Sequence, residues 1–205
     1  MKQYDTYLFD FDGTLFDTEA SLRPVWDYAF SKQGVTATDE EKEEFMHHPL
    51  AYAAEKKGIK DYPTFEKDIT SALDFPESLA LVTMYPDTVS VITSLFAWGR
   101  RLGIVSSNNT HHISLILQEK KMGPYFSVLS GSDLYVSPKP SADPILYALS
   151  KLGLSPRDSI CYVGDSPIDA ECAKNAGVDG YLLDRKGKHQ NWEGNRLRSL
   201  TELVF

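Results

Sequence analysis

The chain has 205 residues, with 21 lysines and arginines against 29 acidic residues, a formal net charge of −8 and a pI near 5.1. That balance leaves no basic footprint for nucleic acid, and two cysteines, Cys161 and Cys172, cannot build a disulfide framework, which suits a reducing compartment. Residues 1–13 place three aspartates among apolar neighbours, so no signal-peptide core forms there, and no apolar run is long enough to span a bilayer. The expectation is a soluble, cytoplasmic protein with no nucleic-acid or membrane partner, monomeric or weakly dimeric.

Tyr7–Asp10 reads as a short apolar strand. The interval 17–85 then shows no convincing strand. Leu22, Val25, Trp26, Ala29 and Phe30 have helical spacing behind Ser21, a candidate N-cap. Thr38 is a candidate cap for Asp39–Met46, whose first turn is acidic, as the helix dipole prefers. This interval carries 7 basic and 14 acidic residues, a net of −7, so nearly all of the excess acidity lies in it. It reads as a separate helical bundle, residues 17–85, inserted into a core made of residues 1–16 and 86–205.

Strand and helix alternate after the insert. Val89, Ile92, Leu95 and Phe96 form an apolar stripe ended by Gly99, before the strand Gly103–Ser106 and a helix opening near Thr110. Phe126–Ser130 reads as the next strand. Ile145, Leu146, Leu149 and Leu152 form a second stripe, ended by Gly153. The strand Ile160–Val163 precedes a third stripe of Ile168, Cys172 and Ala176, ended by Gly177, and Tyr181–Leu183 reads as the last strand. This order predicts a doubly wound, Rossmann-like parallel α/β sheet, whose ligands bind at the C-terminal ends of the strands.

Four polar clusters fall at those ends. In Phe9-Asp10-Phe11-Asp12-Gly13-Thr14, two carboxylates two residues apart follow a strand, against the plainer reading of a polar strand end and an Asp-Gly turn. Ser106, Ser107 and Asn108 offer hydroxyl and amide groups before a helix start, where a phosphate oxygen can bind. In Ser137-Pro138-Lys139-Pro140, the prolines restrict the residues before them, which turns a loop lysine into a fixed cation. In Gly164-Asp165-Ser166-Pro167-Ile168-Asp169, Ser166 and Asp169 make a capping box, but no local role accounts for Asp165.

Together these segments resemble, in order and spacing, the four motifs of the haloacid dehalogenase superfamily of phosphohydrolases, and the insert resembles that family's helical cap. The chain is similar to phosphoglycolate-phosphatase-like and β-phosphoglucomutase-like members. The resemblance implies Asp10 as a nucleophile forming an aspartyl-phosphate, and Asp12 as general acid and base. It implies Mg²⁺ held by Asp10, the Asp12 backbone carbonyl and Asp165, with Asp169 acting through water. Ser106 and Lys139 would hold phosphoryl oxygens, with Ser107 and Asn108 beside them at the substrate. The implied activity is hydrolysis of a small phosphorylated metabolite, a phosphoglycolate-like monoester.

A charge count independent of the family agrees. Four carboxylates and one lysine would repel a phosphate dianion, whereas a divalent cation and one proton on Asp12 bring the site to neutrality. Oxygen ligands of this kind suit Mg²⁺. The five histidines show no zinc spacing. His47 and His48 fall where related caps have a Gly-containing loop facing the site, and a substrate contact there stands against a plain solvated loop. A sugar phosphomutase is the alternative activity. It would need cations in the cap for a doubly phosphorylated intermediate, and Arg23 is the insert's only arginine. Cys161 and Cys172 read as core residues.

Overall fold

The computed structural model describes residues 2–46 and 50–204. The chain divides into two compact units, Met1–Asp17 with Met84–Phe205, and Thr18–Thr83. The first unit carries a fully parallel six-stranded sheet. Its strands are β1 (Thr6–Phe9), β4 (Arg101–Val105), β5 (Val128–Ser130), β6 (Ile160–Gly164), β7 (Asp179–Leu183) and β8 (Arg196–Leu197), in the order β5-β4-β1-β6-β7-β8. The short strands β2 (Phe16–Asp17) and β3 (Thr83–Met84) pair separately.

All four residues of β1 are buried, although alternate side chains point to opposite faces, so the sheet is covered on both sides. On one face Leu8, Val105 and Tyr162 pack with Ile145 and Leu149 of α8 (Asp143–Leu152) and with Cys172 of α9 (Pro167–Ala176). Gly153 and Gly177 end these two helices in the left-handed conformation. α6 (Thr88–Ala97) packs on β4, and α7 (Thr110–Glu119) packs on the short turn Gly123–Tyr125. Both cysteines are buried, as expected.

Three expected helix stripes are rotated. Val89, Phe96, Leu146 and Ile168 are between 41% and 49% exposed. The buried faces are instead Val91, Ile92 and Leu95 in α6, Ala148 with Ile145 and Leu149 in α8, and Ala173 with Cys172 and Ala176 in α9. Small residues let a helix backbone approach the sheet, so in α8 and α9 alanines join the contact line in place of Leu146 and Ile168.

The second unit is helical, with α1 (Glu19–Lys32), α2 (Asp39–Met46), α3 (Leu50–Lys56), α4 (Tyr62–Leu73) and α5 (Pro76–Leu81). Its core is aromatic. Trp26 stacks on Phe30 at 5.4 Å, and Phe30 on Phe65 at the same spacing. Ser21 is not the cap expected for α1. The helix already starts at Glu19, and Ser21 Oγ donates to the Thr18 carbonyl at 2.6 Å. Thr38 does cap α2, since its Oγ1 accepts from Glu41 N–H while its own N–H donates to Glu41 Oε2. Among the described residues no helix is long and apolar enough to cross a membrane.

Just before α6, Asp87 organises the chain's return to the sheet. Both its oxygens accept from Arg185 at 2.9 Å, and Oδ2 also accepts from Ser199 Oγ and Leu200 N–H. Arg185 reaches on to the Thr14 carbonyl at 3.0 Å and lies 4.2 Å from the Tyr85 ring centroid. Burial pushes the Asp87 carboxyl up, but Arg185, Ser199 and Leu200 outweigh it and hold it below its ordinary value near 3.8. A carboxyl depressed in the folded state stabilises fully above its unfolded value, and that contribution is lost as pH falls through the folded value. Asp87→Asn is therefore expected to cost about 2–4 kcal/mol at neutral pH. In urea unfolding, the gap from wild type should narrow as pH falls below that ordinary carboxylate value. A gap that stays constant with pH would remove the ion pair from this account.

Candidate active site

In a doubly wound sheet the ligand crevice opens where successive crossovers reverse direction. Here that point lies between β1 and β6, which are paired in register from Thr6↔Ile160 to Phe9↔Val163. Asp10 follows β1 directly, and its N–H donates to the Val163 carbonyl at 2.8 Å. Asp165 follows β6. Adjacent parallel strands therefore deliver both carboxylates to one mouth.

Two glycines make room for them. Gly13 has φ +74°, and a Cβ there would lie 2.2 Å from Asp165 Oδ2. Gly164 leaves space for Asp169, since a Cβ would lie 2.3 Å from its Cγ. Asp169 reaches this spot because it is also the third residue of a capping box. Its Oδ2 accepts from Ser166 N–H at the start of α9, which leaves Oδ1 facing the crevice.

Lys139 joins the carboxylates. Its ammonium donates to Asp10 Oδ1 at 2.8 Å and to Asp169 Oδ1 at 2.7 Å, and its side chain is only 7% exposed. Burial pulls the lysine's pKa down, but the charges of Asp10 and Asp169 more than reverse this and keep it a cation. Burial pushes Asp10 well up, with Lys139 opposing and Asp169 and Asp12 adding to the rise. Burial also lifts Asp165 to about 6, helped by the charge of Asp169. The segment bearing Lys139 is anchored from α9, where Asn175 Nδ2 donates to the Pro140 carbonyl and Cys172 Sγ to the Ser141 carbonyl. Proline stiffening alone does not account for the lysine's position.

Tyr162 is a member of this centre that the sequence reading missed. Its hydroxyl accepts from Lys139 at 3.1 Å, and lies 3.0 Å from Asp169 Oδ1 and 2.9 Å from the Val105 carbonyl. The available signal was a tyrosine inside an otherwise apolar, doubly covered strand, since a buried hydroxyl needs a partner.

The second cluster is also close to the first motif. Ser106 is buried at the end of β4, and its Oγ accepts from Asn108 N–H. Asn108 Nδ2 donates to Asp12 Oδ2 at 3.0 Å. The helix start beyond it does not supply the free N–H donors expected. Thr110 N–H donates to Asp133 Oδ1 at 2.7 Å and His112 N–H to Asn109 Oδ1 at 2.9 Å, so local acceptors take both. Asp133 lies in a loop after β5 that also sends the Tyr135 hydroxyl to the Ser106 carbonyl. Nothing in the sequence pattern singled that loop out. His47 and His48 lie outside the described residues.

Asp10, Asp165 and Asp169 each offer an oxygen, all within 4.8 Å of one another. Asp12 adds no oxygen to that group among the described residues. Two buried carboxylates and the half-buried Asp165 outnumber the one ammonium among them, and burial, with the neighbouring carboxylates adding to it, raises Asp10 and Asp165. An all-oxygen donor set with excess negative charge fits a hard divalent cation such as Mg²⁺. Gly164→Ala should test this crowding. Displacing Asp169 is expected to cost about 1–3 kcal/mol of stability and to weaken Mg²⁺ binding by about tenfold or more, as read by calorimetric titration. A variant with unchanged Mg²⁺ affinity would show that Asp169 is not held by this contact.

The model of the haloacid dehalogenase-like hydrolases matches residues 7–182. Phosphoglycolate phosphatase 1 of Pseudomonas aeruginosa is 28% identical over 180 residues, which cover 83% of this chain and 66% of that protein. Phosphoglycolate phosphatase of Salmonella typhi is 27% identical over 194 residues, covering 82% of this chain and 77% of that protein. The chain thus spans about two thirds to three quarters of the length of these relatives. Among solved structures, a HAD phosphatase from Thermococcus onnurineus superposes with a TM-score of 0.74 at 28% identity, covering 97% of this chain and 95% of that one. A haloacid dehalogenase-like family hydrolase from Streptococcus pneumoniae gives 0.81 at 21% identity, covering 100% and 98%, and this likeness speaks for the fold.

Proposed function

This chain belongs to the haloacid dehalogenase-like hydrolases, as a phosphatase of that family, and from that premise we propose that it hydrolyses a small phosphate monoester through Asp10, with Mg²⁺ as cofactor. The observation that carries the reading is the shared grip of Lys139 on Asp10 and Asp169 at the switch point of the sheet. One ammonium holds the nucleophile's orientation while leaving Asp10 Oδ2 outside that pairing.

In this reading an Asp10 oxygen attacks phosphorus, a new O–P bond forms at Asp10, and the bond to the ester oxygen breaks. Asp12 protonates the departing alkoxide and then takes a proton from the water that attacks the aspartyl-phosphate. Asn108 holds the Asp12 carboxylate in place through its amide, and Lys139 donates to a phosphoryl oxygen as charge builds there. Ser106 and Ser107 frame the phosphoryl group. Mg²⁺, held by Asp10, Asp165 and Asp169 together with the Asp12 carbonyl, would offset the negative charge of centre and substrate together. The helical unit Thr18–Thr83 takes the family's cap role, and its acidity favours a small substrate without further phosphates, phosphoglycolate being the first to test. No observation favours a mutase, because the unit offers a single arginine, Arg23.

Phosphate release from a panel of phosphorylated metabolites should require Mg²⁺ and vanish in excess EDTA. Asp10→Asn should abolish it, whereas full activity in chelator would overturn the reading of the acidic group. A second test separates the roles of the paired aspartates. An aryl ester such as p-nitrophenyl phosphate leaves as a stable phenolate and needs little proton assistance, whereas an alkyl ester needs a great deal. Asp12→Ala should slow alkyl esters by about 10²–10⁴-fold, slow the aryl ester's first step far less, and retard breakdown of the phospho-enzyme. Rapid mixing with p-nitrophenol and phosphate followed together reads all three. Equal slowing of both ester types with normal dephosphorylation would remove Asp12 from acid–base work.

A further inference from the structure

We propose that Tyr135 is a positioning residue for proton transfer: through the loop after β5 it fixes Asn108, and through Asn108 the carboxylate of Asp12. The role rests on the hydrolytic reading above, and the residue lies outside the four motifs. Residues 106–109 connect β4 to α7, so their backbone groups need partners from elsewhere. The segment 130–135 supplies them in succession. Ser106 N–H donates to the Ser130 carbonyl at 2.9 Å, and the Ser106 carbonyl accepts from the Tyr135 hydroxyl at 3.0 Å. The Asn108 carbonyl accepts from Ser132 N–H at 2.8 Å, and Thr110 donates to Asp133 through both its N–H and its hydroxyl. Only a glycine lets the two segments lie this close. A Cβ on Gly131 would stand 2.5 Å from Thr110 N and 2.8 Å from the Asn108 carbonyl oxygen, backbone atoms that cannot swing aside.

The clamp ends on the acid. Ser106 Oγ accepts from Asn108 N–H at 3.0 Å, a turn closed by a side chain. Asn108 is thus held at its N–H by this turn and at its carbonyl by Ser132. With its backbone fixed at both groups, it delivers Nδ2 to Asp12 Oδ2 at 3.0 Å. Contacts therefore pass between strand ends in the order β5, β4, β1, the order in which those strands pair. Tyr135 controls the first link, because Ser106 carries both the carbonyl it grips and the hydroxyl that turns Asn108.

Burial pushes the Tyr135 hydroxyl's pKa up, against the opposing pull of Lys139 and Ser107, so it keeps the proton that it donates. A general acid works within hydrogen-bond reach of the oxygen it protonates, and a displacement of about 1 Å can cost up to about 10²-fold in rate. Loosening Tyr135 should therefore act on proton delivery by Asp12. Attack by Asp10 should stay nearly intact, because the segment bearing its partner Lys139 is anchored separately from α9.

Rapid mixing of the Mg²⁺-loaded full chain with p-nitrophenyl phosphate and with the fastest alkyl ester of the metabolite panel tests this. Tyr135→Phe keeps the ring and removes only the hydroxyl. It is expected to slow the alkyl ester by about tenfold, a fraction of the roughly 10²–10⁴-fold that loss of the acid itself would cost. The aryl ester's p-nitrophenol burst should slow by less than about twofold. Asp133→Ala opens the same clamp at Thr110 and should show the same inequality, with melting curves checking that both variants fold. In an Asp12→Ala background, Tyr135→Phe should slow the alkyl ester no further, because the path it serves is already cut. Equal slowing of the two esters, no slowing of either, or a full further loss on top of Asp12→Ala would each overturn the proposal. The Asp12→Ala single variant separates this failure from that of the hydrolytic reading. Unequal slowing there with equal slowing in Tyr135→Phe overturns the positioning role alone, whereas equal slowing in Asp12→Ala, or no turnover by the wild type, overturns both.

Discussion

Burying Asp10 and Asp169 beside each other, with the half-buried Asp165 next to them, is the costly act on which this centre rests, and Lys139 is what makes it tolerable. Each of its contacts to Asp10 and Asp169 joins groups that are almost wholly buried, where an unpaired charge would cost several kcal/mol. The pairing is only partial compensation. Asp165 feels Lys139 only weakly and is lifted to about 6 by burial and by Asp169. The folded chain therefore holds a standing charge imbalance at the mouth of its sheet.

Much of the surrounding structure follows from holding that imbalance in place. Gly13 and Gly164 are glycines because any side chain would occupy the space of Asp165 and Asp169. Asp169 divides its two oxygens, one closing the capping box of α9 and one meeting Lys139, so a helix start and a charged centre share one side chain. Tyr162 ties the same group to the Val105 carbonyl on β4, linking β6, β4, α9 and the Lys139 loop through a single hydroxyl. Asn175 and Cys172 carry the restraint back to α9, which thus fixes both ends of the Lys139–Asp169 contact.

These dependencies explain what could be read from the sequence. The parallel sheet was legible because strands buried on both faces are short apolar runs, and the four motifs stood out because each breaks such a run with charge or a hydroxyl. The capping box of Ser166 and Asp169 and that of Thr38 were local patterns, complete within four residues. Helix faces were less legible, since alanines that touch the sheet carry little weight in a pattern of large apolar residues, and Leu146 and Ile168 face outward instead. Strand β8 was missed because a two-residue strand, Arg196–Leu197, has no period to detect. The roles of Asp133, which occupies the helix start beyond Asn109, and of Tyr162 depend on partners far away in the chain, and no local pattern encodes such distances.

The arrangement of the remaining charge has its own logic. Arg185 donates to the Thr14 carbonyl, two residues beyond Asp12. Asp87 takes both of its terminal nitrogens in a forked pair, and Tyr85 covers the guanidinium face. The arginine's positive charge is thus neutralised locally and its geometry is spent on the backbone of the first motif. Arg196 is restrained in the same way, through the His189 carbonyl and Asp184. Keeping the cations of β7 and β8 tethered on their own side leaves Lys139 as the ammonium shown pairing with the carboxylate group. One fixed ammonium orients Asp10 and opposes, without cancelling, the rise that burial and the neighbouring carboxylates impose on its carboxyl.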